Sequence, residues 1–176
     1  MTYPATTAPG PGLRSYGKYR GKVVGNVDPM QQGRVQVTCP AVLGEGRASW
    51  ALPSAPYGGN GVGFFTVPPV DANIWVEFEA GDPERPIWTG CFWGPGEAPA
   101  QPAVAEMKVL RTAGVTLTIN DLPGAGGLIL EVGDPIVTPP LRIAMTAAGI
   151  ELSHGKSRIR LSQVSVSVND GALEVI

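Results

Sequence analysis

The sequence predicts an all-β chain: a small closed barrel followed by a run of short two-faced strands that other copies of the chain must complete. Three observations carry this. Gly and Pro, 24 and 18 of the 176 residues, fall between short apolar runs and not in a block. Such punctuation suits a chain of many turns, because Gly supplies positive φ and Pro fixes turn geometry. Apolar residues recur at alternate positions in most of the runs, and no helical period is visible. No aromatic residue follows Trp93, so the C-terminal strands lack the bulk to fill a core of their own.

Residues 1–17 are rich in Thr, Ala, Pro and Gly and have no periodic apolar pattern. They are expected to form a flexible arm, or one that becomes ordered only against a partner. Residues 18–94 are expected to form the barrel. Residues 19–27 read as its first strand and residues 28–33 as a turn. Residues 33–39 alternate cleanly, with Val35, Val37 and Cys39 on one face and Arg34, Gln36 and Thr38 on the other. Residues 49–53 fit a third strand, and residues 63–67 a fourth that Pro68 and Pro69 close. In the fifth, residues 73–79, Ile74, Val76 and Phe78 point inward while Trp75, Glu77 and Glu79 lie opposite. A turn then leads into residues 87–92. Strands at this spacing close into a small barrel, which removes exposed edges.

Residues 95–106 read as a Pro-rich linker, and residues 107–176 as the second half. Its rows are uniform in kind: Val115/Leu117/Ile119, Leu128/Leu130/Val132, Leu141/Ile143/Met145, Ile150/Leu152, Ile159/Leu161, Val164/Val166/Val168 and Leu173/Val175. Several follow a Gly by one or two residues, as at Gly114, Gly149 and Gly171. Each strand buries only two or three aliphatic side chains, so a single copy would be marginal. Three chains around a common axis solve this, each row burying against the other two. The expected trimer core is Leu117, Ile119, Leu130, Ile143, Leu152, Leu161, Val164, Val166, Val168, Leu173 and Val175. A lone parallel β-helix is the competing solution, with few rungs and no evident caps.

Composition narrows the function classes. A formal net charge of -2 lacks the concentrated basic face of a general nucleic-acid binder. No apolar run approaches a membrane span. The first residues have no basic start and no apolar stretch, so no signal peptide is expected and synthesis is expected in the cytoplasm. Cys39 and Cys91 are expected to be buried thiols acting as small apolar groups, and the sequence leaves open whether they are bridged. Glu77 and Glu79 read as a solvated strand face rather than an acid/base pair. Residues 58–63 fail the GxGxxG spacing and read as a wide turn. His154, the only histidine, adjoins Ser153, but neighbouring strand residues point to opposite sides and make no nucleophile–base pair. No catalytic, cofactor or metal site is expected. Trp50, Phe64, Phe65, Trp75, Trp88, Phe92 and Trp93 are expected to form barrel core and subunit contacts.

The pieces Gly33-Arg34-Val35-Gln36-Val37, Trp50-Ala51, residues 58–65, Pro68-Pro69-Val70-Asp71 and Ile87-Trp88-Thr89-Gly90 follow a recognisable order and spacing. With Glu79-Ala80-Gly81-Asp82-Pro83-Glu84-Arg85-Pro86 they closely resemble the OB-fold domain of phage baseplate assembly protein V and of the valine-glycine repeat spike proteins of type VI secretion. The second half, with Leu110-Arg111-Thr112, residues 114–121 and Val168-Asn169-Asp170-Gly171, is similar in pattern to that family's intertwined trimeric β-prism. Asp71-Ala72-Asn73 departs from the family's usual Gly-Asp before the next strand. The resemblance implies a homotrimeric, non-enzymatic central spike of a contractile injection system, a phage tail baseplate or related particle. It implies a barrel seated on a tail hub protein among other baseplate components. It further implies a separate PAAR-type tip protein and membrane contact only by transient piercing. Neither an inserted lysozyme domain nor an appended effector is expected. A single-stranded nucleic-acid-binding OB protein and a cell-wall hydrolase subunit are the alternatives from other classes.

Overall fold

In a computed structural model the described residues are 14–176; the rest of the expected arm, residues 1–13, lies outside them. The chain divides into two compact units, Met1–Gly96 and Glu97–Ile176. In the first unit the strands are β1 (Tyr19–Gly25), β2 (Val35–Thr38), β3 (Ala48–Pro53), β4 (Gly58–Gly59), β5 (Val62–Gly63), β6 (Asn73–Phe78) and β7 (Pro86–Cys91). Five of them close a barrel in the order β1-β2-β3-β7-β6. Only the β3–β7 pairing is parallel.

The alternation in sequence becomes the barrel's inside and outside. Val23, Val35, Val37, Cys39, Ala51, Ile74 and Val76 are fully buried, joined by Phe78, Trp88 and Leu43. Leu43 comes from a short helix, α1 (Pro40–Leu43), that the strand pattern did not announce. Its Pro40 starts the helix, where the missing N–H costs nothing. Gly21 on β1 admits no side chain, since a Cβ there would stand 2.7 Å from the Thr38 carbonyl oxygen and 2.8 Å from Val76 Cγ2. Arg14 Nη1 and the Ser15 amide donate to the carbonyls of Ala80 and Gly81, so the chain before β1 lies along the turn after β6.

Two expectations for this unit change. The strand at residues 63–67 is absent. Instead β4 and β5 pair across Asn60-Gly61, the Phe64 amide adds one bond to the Tyr57 carbonyl at 2.9 Å, and residues 64–69 are not part of a strand. Pro68 and Pro69 have no N–H to donate to a sheet, and β7 occupies the place beside β3. Cys91 is exposed and not buried, and both thiols are free. Alternation along β7 is the cause: Pro86 and Trp88 are buried, so Cys91, three residues on from Trp88, falls on the outer side with Ile87 and Thr89. Burial pushes the Cys39 thiol up from its ordinary value.

The turn after β1 is held by one carboxylate. Asp28 accepts the amides of Met30, Gln32 and Arg34 at 3.0, 2.8 and 3.2 Å. It also accepts Arg34 Nε at 3.0 Å and Nη2 at 2.7 Å. The Arg34 guanidinium, followed by these amides and against some desolvation, holds the Asp28 carboxyl well below the usual carboxylate range.

The second unit is an antiparallel meander. Its strands are β8 (Met107–Arg111), β9 (Val115–Asn120), β10 (Gly127–Val132), β11 (Leu141–Thr146), β12 (Gly149–His154), β13 (Ser157–Leu161), β14 (Val166–Val168) and β15 (Leu173–Val175). They lie side by side in chain order as one eight-stranded sheet. Gly149, the first residue of β12, is held to glycine by its backbone. Its φ is +119°, and a Cβ there would stand 2.0 Å from the Leu161 carbonyl oxygen.

Two outcomes follow for stability. Asp28→Asn lowers the melting temperature at neutral pH. The folded carboxyl is depressed below its unfolded value of about 3.9, so its contribution is full above that value and is lost as pH falls through the folded pKa. Melting curves of wild type and variant therefore converge in strong acid; a constant gap across pH 7 to 2 would refute this role. Gly149→Ala destabilises the sheet by more than about 1 kcal/mol, measured by chemical denaturation, because backbone strain and the Leu161 carbonyl both oppose it.

Candidate functional site

In an antiparallel ladder, directly paired residues share a face. The register pairs Leu110 with Leu117, Leu117 with Leu130, Leu130 with Ile143, Ile143 with Leu152, Leu152 with Ile159 and Ile159 with Val168, which pairs in turn with Leu173. A second row runs Ile119, Leu128, Met145, Ile150, Leu161, Val166 and Val175. Two rows of aliphatic side chains thus cross the sheet on one face from the first hairpin to the last strand.

The reverse face is polar. It carries Thr116, Thr118, Glu131, Arg142, Glu151, Ser153, Arg158, Arg160, Ser167 and Glu174, interrupted by Met107, Val109, Ile129 and Ala144. At its centre the Glu151 carboxylate lies 3.0 Å from Arg160 Nη2, 3.5 Å from Arg158 Nε and 3.9 Å from Arg142 Nη1. Arg158 also reaches Asp170 at 3.3 Å. These pairs are partly exposed, so each contributes at most about 1 kcal/mol; their chief effect is to mark this face as the one that meets water.

The apolar face has nothing to cover it within its own sheet. Among the described residues every buried apolar side chain except Ala144 belongs to the barrel unit. Leu152 is 46% exposed, and Leu173 and Val175 are each 61% exposed. Carrying each such side chain from half exposure to burial is worth on the order of 1 kcal/mol. A contiguous apolar surface of this kind marks an interaction site.

Ten of the eleven residues expected to form a trimer core, Leu117, Ile119, Leu130, Ile143, Leu152, Leu161, Val166, Val168, Leu173 and Val175, fall on this one face. Val164 does not lie on a strand. Ser162 Oγ accepts the amides of Val164 and Ser165, making a turn that leaves Val164 76% exposed. The face is wider than the expected set, since Leu110, Leu128, Leu141, Met145, Ile150 and Ile159 also belong to it. The alternation that picked out the other rows was available for these as well.

The remaining candidates separate in space. Glu77 pairs with Lys18 at 2.7 Å and Glu79 with Arg85 at 3.5 Å, so the two carboxylates are engaged at the surface in different ion pairs. Ser153 is opposite Arg142 and Arg158 on the polar face, whereas His154 is opposite Leu141 and Ser157 on the other. Of the seven aromatic residues expected in core and contacts, only Trp88 is in the barrel core, where its Nε1 donates to the Gly33 carbonyl at 3.2 Å. Trp50 and Trp75 are on the outer face, because the pleat turns Ala51, Ile74 and Val76 inward. Phe64, Phe65 and Trp93 are exposed.

Comparison with known protein families agrees with this division. Residues 19–93 match the type VI secretion system/phage-baseplate injector OB domain. Residues 107–174 match the phage baseplate V C-terminal trimerisation domain. No curated protein matches the chain.

The two faces predict opposite outcomes for one added carboxylate. Val166→Asp, which brings like charges together in an apolar interface, abolishes association in gel filtration with light scattering. Ser153→Asp, landing between Arg142 and Arg158, leaves the assembly intact. Equal effects of the two would show that the apolar face is not the contact.

Proposed function

Because the chain belongs to the baseplate V family of phage and type VI secretion injectors, we propose that three copies form the central spike of a contractile injection machine. The observation that carries this reading is the one-sided apolar sheet with no core of its own. Three such sheets packed about an axis hide their aliphatic rows from water and present the Arg142–Glu151–Arg158–Arg160 face outside. The result is a stiff, narrow, polar-surfaced prism that intertwines the chains.

The work of such a spike is mechanical. The barrel units seat the trimer on the tail hub, and sheath contraction drives the prism through the target envelope. A separate PAAR-type protein tips it, and membrane contact is limited to that transient piercing. No helix among the described residues is long and apolar enough to cross a membrane. The chain acts without catalysis: the carboxylates, serine and histidine that could support hydrolysis are dispersed among ion pairs and opposite sheet faces.

The first test is the mass of the full chain by light scattering coupled to gel filtration. The expected value is three times 18.3 kDa, held together in detergent. A monomer that melts cooperatively would overturn the spike. Release of fragments from purified peptidoglycan would instead support a hydrolase subunit.

A further inference from the structure

The outer face of β1 carries Arg20 and Lys22, while Gly21 between them and Val23 after them are buried. Beside it, β6 places Trp75 directly opposite Arg20 and Asn73 opposite Lys22. The Arg20 guanidinium lies 5.2 Å from the centroid of the Trp75 ring and 4.8 Å from that of Phe92. The two rings pack on one another at 4.7 Å. Trp93, which follows Phe92, is 66% exposed.

Most other cations of this unit are already engaged. Lys18 has Glu77, Arg34 has Asp28 and Arg85 has Glu79. Arg20 differs: among the described residues it makes ring contacts but no hydrogen bond or ion pair. Lys22 has one long contact, 3.4 Å to the Asp71 carbonyl oxygen. Stacking orders a guanidinium through its flat face and leaves its N–H edge free, so the entropic cost of fixing the side chain is already met. That edge suits a carboxylate, which it can hold by two parallel hydrogen bonds. Arg, Trp and Phe together also form the composition of interface centres.

The geometry points to this face as the docking surface for an extended, carboxylate-bearing segment of a protein partner, with Arg20 as its anchor. Lys22 stands two residues along the same strand, roughly 7 Å away. The segment that fits best therefore carries acidic side chains at alternate positions, one for each cation. The covered rings, not the charge, decide against a nucleic-acid strand, because stacked bases need open ring faces. Here Arg20 covers Trp75 and Phe92, and Arg34 covers Trp50 at 5.1 Å. Identifying the partner as the tail hub rests on the spike reading above; the chemistry of the surface does not.

The test is a two-dimensional NMR titration of the full chain with a six-residue peptide of alternating Glu and Thr. The same peptide with Gln for Glu, and a six-nucleotide oligothymidylate, serve as comparisons. The acidic peptide is expected to move the Trp75 indole and Arg20 Nε–H signals, and the Gln peptide to leave them in place. Arg20→Gln weakens binding by about tenfold or more, the loss of a charge-assisted pair of hydrogen bonds. Arg20→Lys, which keeps the charge but not the fork, falls between. Binding that survives Arg20→Gln unchanged, no binding by the wild type, or shifts centred on Arg111 and Lys156 would overturn the proposal. Tighter binding of the oligothymidylate at the same signals would replace it with a nucleic-acid surface. Light scattering on the same samples separates the two readings. A monomer that still binds through Arg20 removes only the hub, and a trimer that binds nothing removes only the docking surface.

Discussion

Everything in the second half of the chain depends on one constraint: its sheet has an aliphatic face and no side chains of its own to lay over it. A barrel escapes this problem by curling, so that Val23, Val35, Val37, Ile74 and Val76 become each other's cover. The meander from β8 to β15 has strands joined only in sequence order and no element that folds back across them. Its apolar rows can be buried only by surface from elsewhere. A family domain that trimerises is one in which further copies of the same chain can supply that surface.

The polar reverse is the complement of that constraint. A sheet apolar on both sides would aggregate, and one polar on both sides would not associate. The Glu151 cluster ties β11, β12 and β13 together across the water-facing side with side chains long enough to shield the backbone. Selection of the interface is thus written into the alternation itself, one residue in and the next out.

Much of this was legible in the sequence because a period of two is visible without knowledge of the partner. Val35/Val37/Cys39, Ile74/Val76/Phe78 and ten of the proposed core residues alternate with residues that are mostly polar, and the structure turns each set to one side. The failures occur where something other than alternation decides. The segment Phe64-Phe65-Thr66-Val67 has strand-like composition, but β7 takes its place beside β3, a long-range choice that no local pattern encodes. Asn60-Gly61 does encode a tight hairpin, and reading residues 58–63 as a wide turn missed it. Cys91 is a different case, since alternation itself, counted from buried Trp88 three residues earlier, places it on the outer side of β7. Val164 was counted with its strand because Ser162 and Ser165 look like strand residues until their hydroxyls are seen closing a turn. The contact of Arg20 with Trp75 was not legible either, because only the pairing of β1 with β6 sets them side by side.

The meander also sets the order in which the molecule is made. Each strand from β9 onward pairs with the one just synthesised, so the sheet can zip hairpin by hairpin as it leaves the ribosome, with little loop entropy to overcome. What cannot form at that stage is the shelter for its aliphatic rows, because that requires two further chains. Between translation and assembly every nascent chain carries a bare, sticky surface, and its fate is a race between meeting its own kind and clumping with others. The encounter that completes the fold is bimolecular at its first step, so the exposed interval shortens as the concentration of identical copies rises.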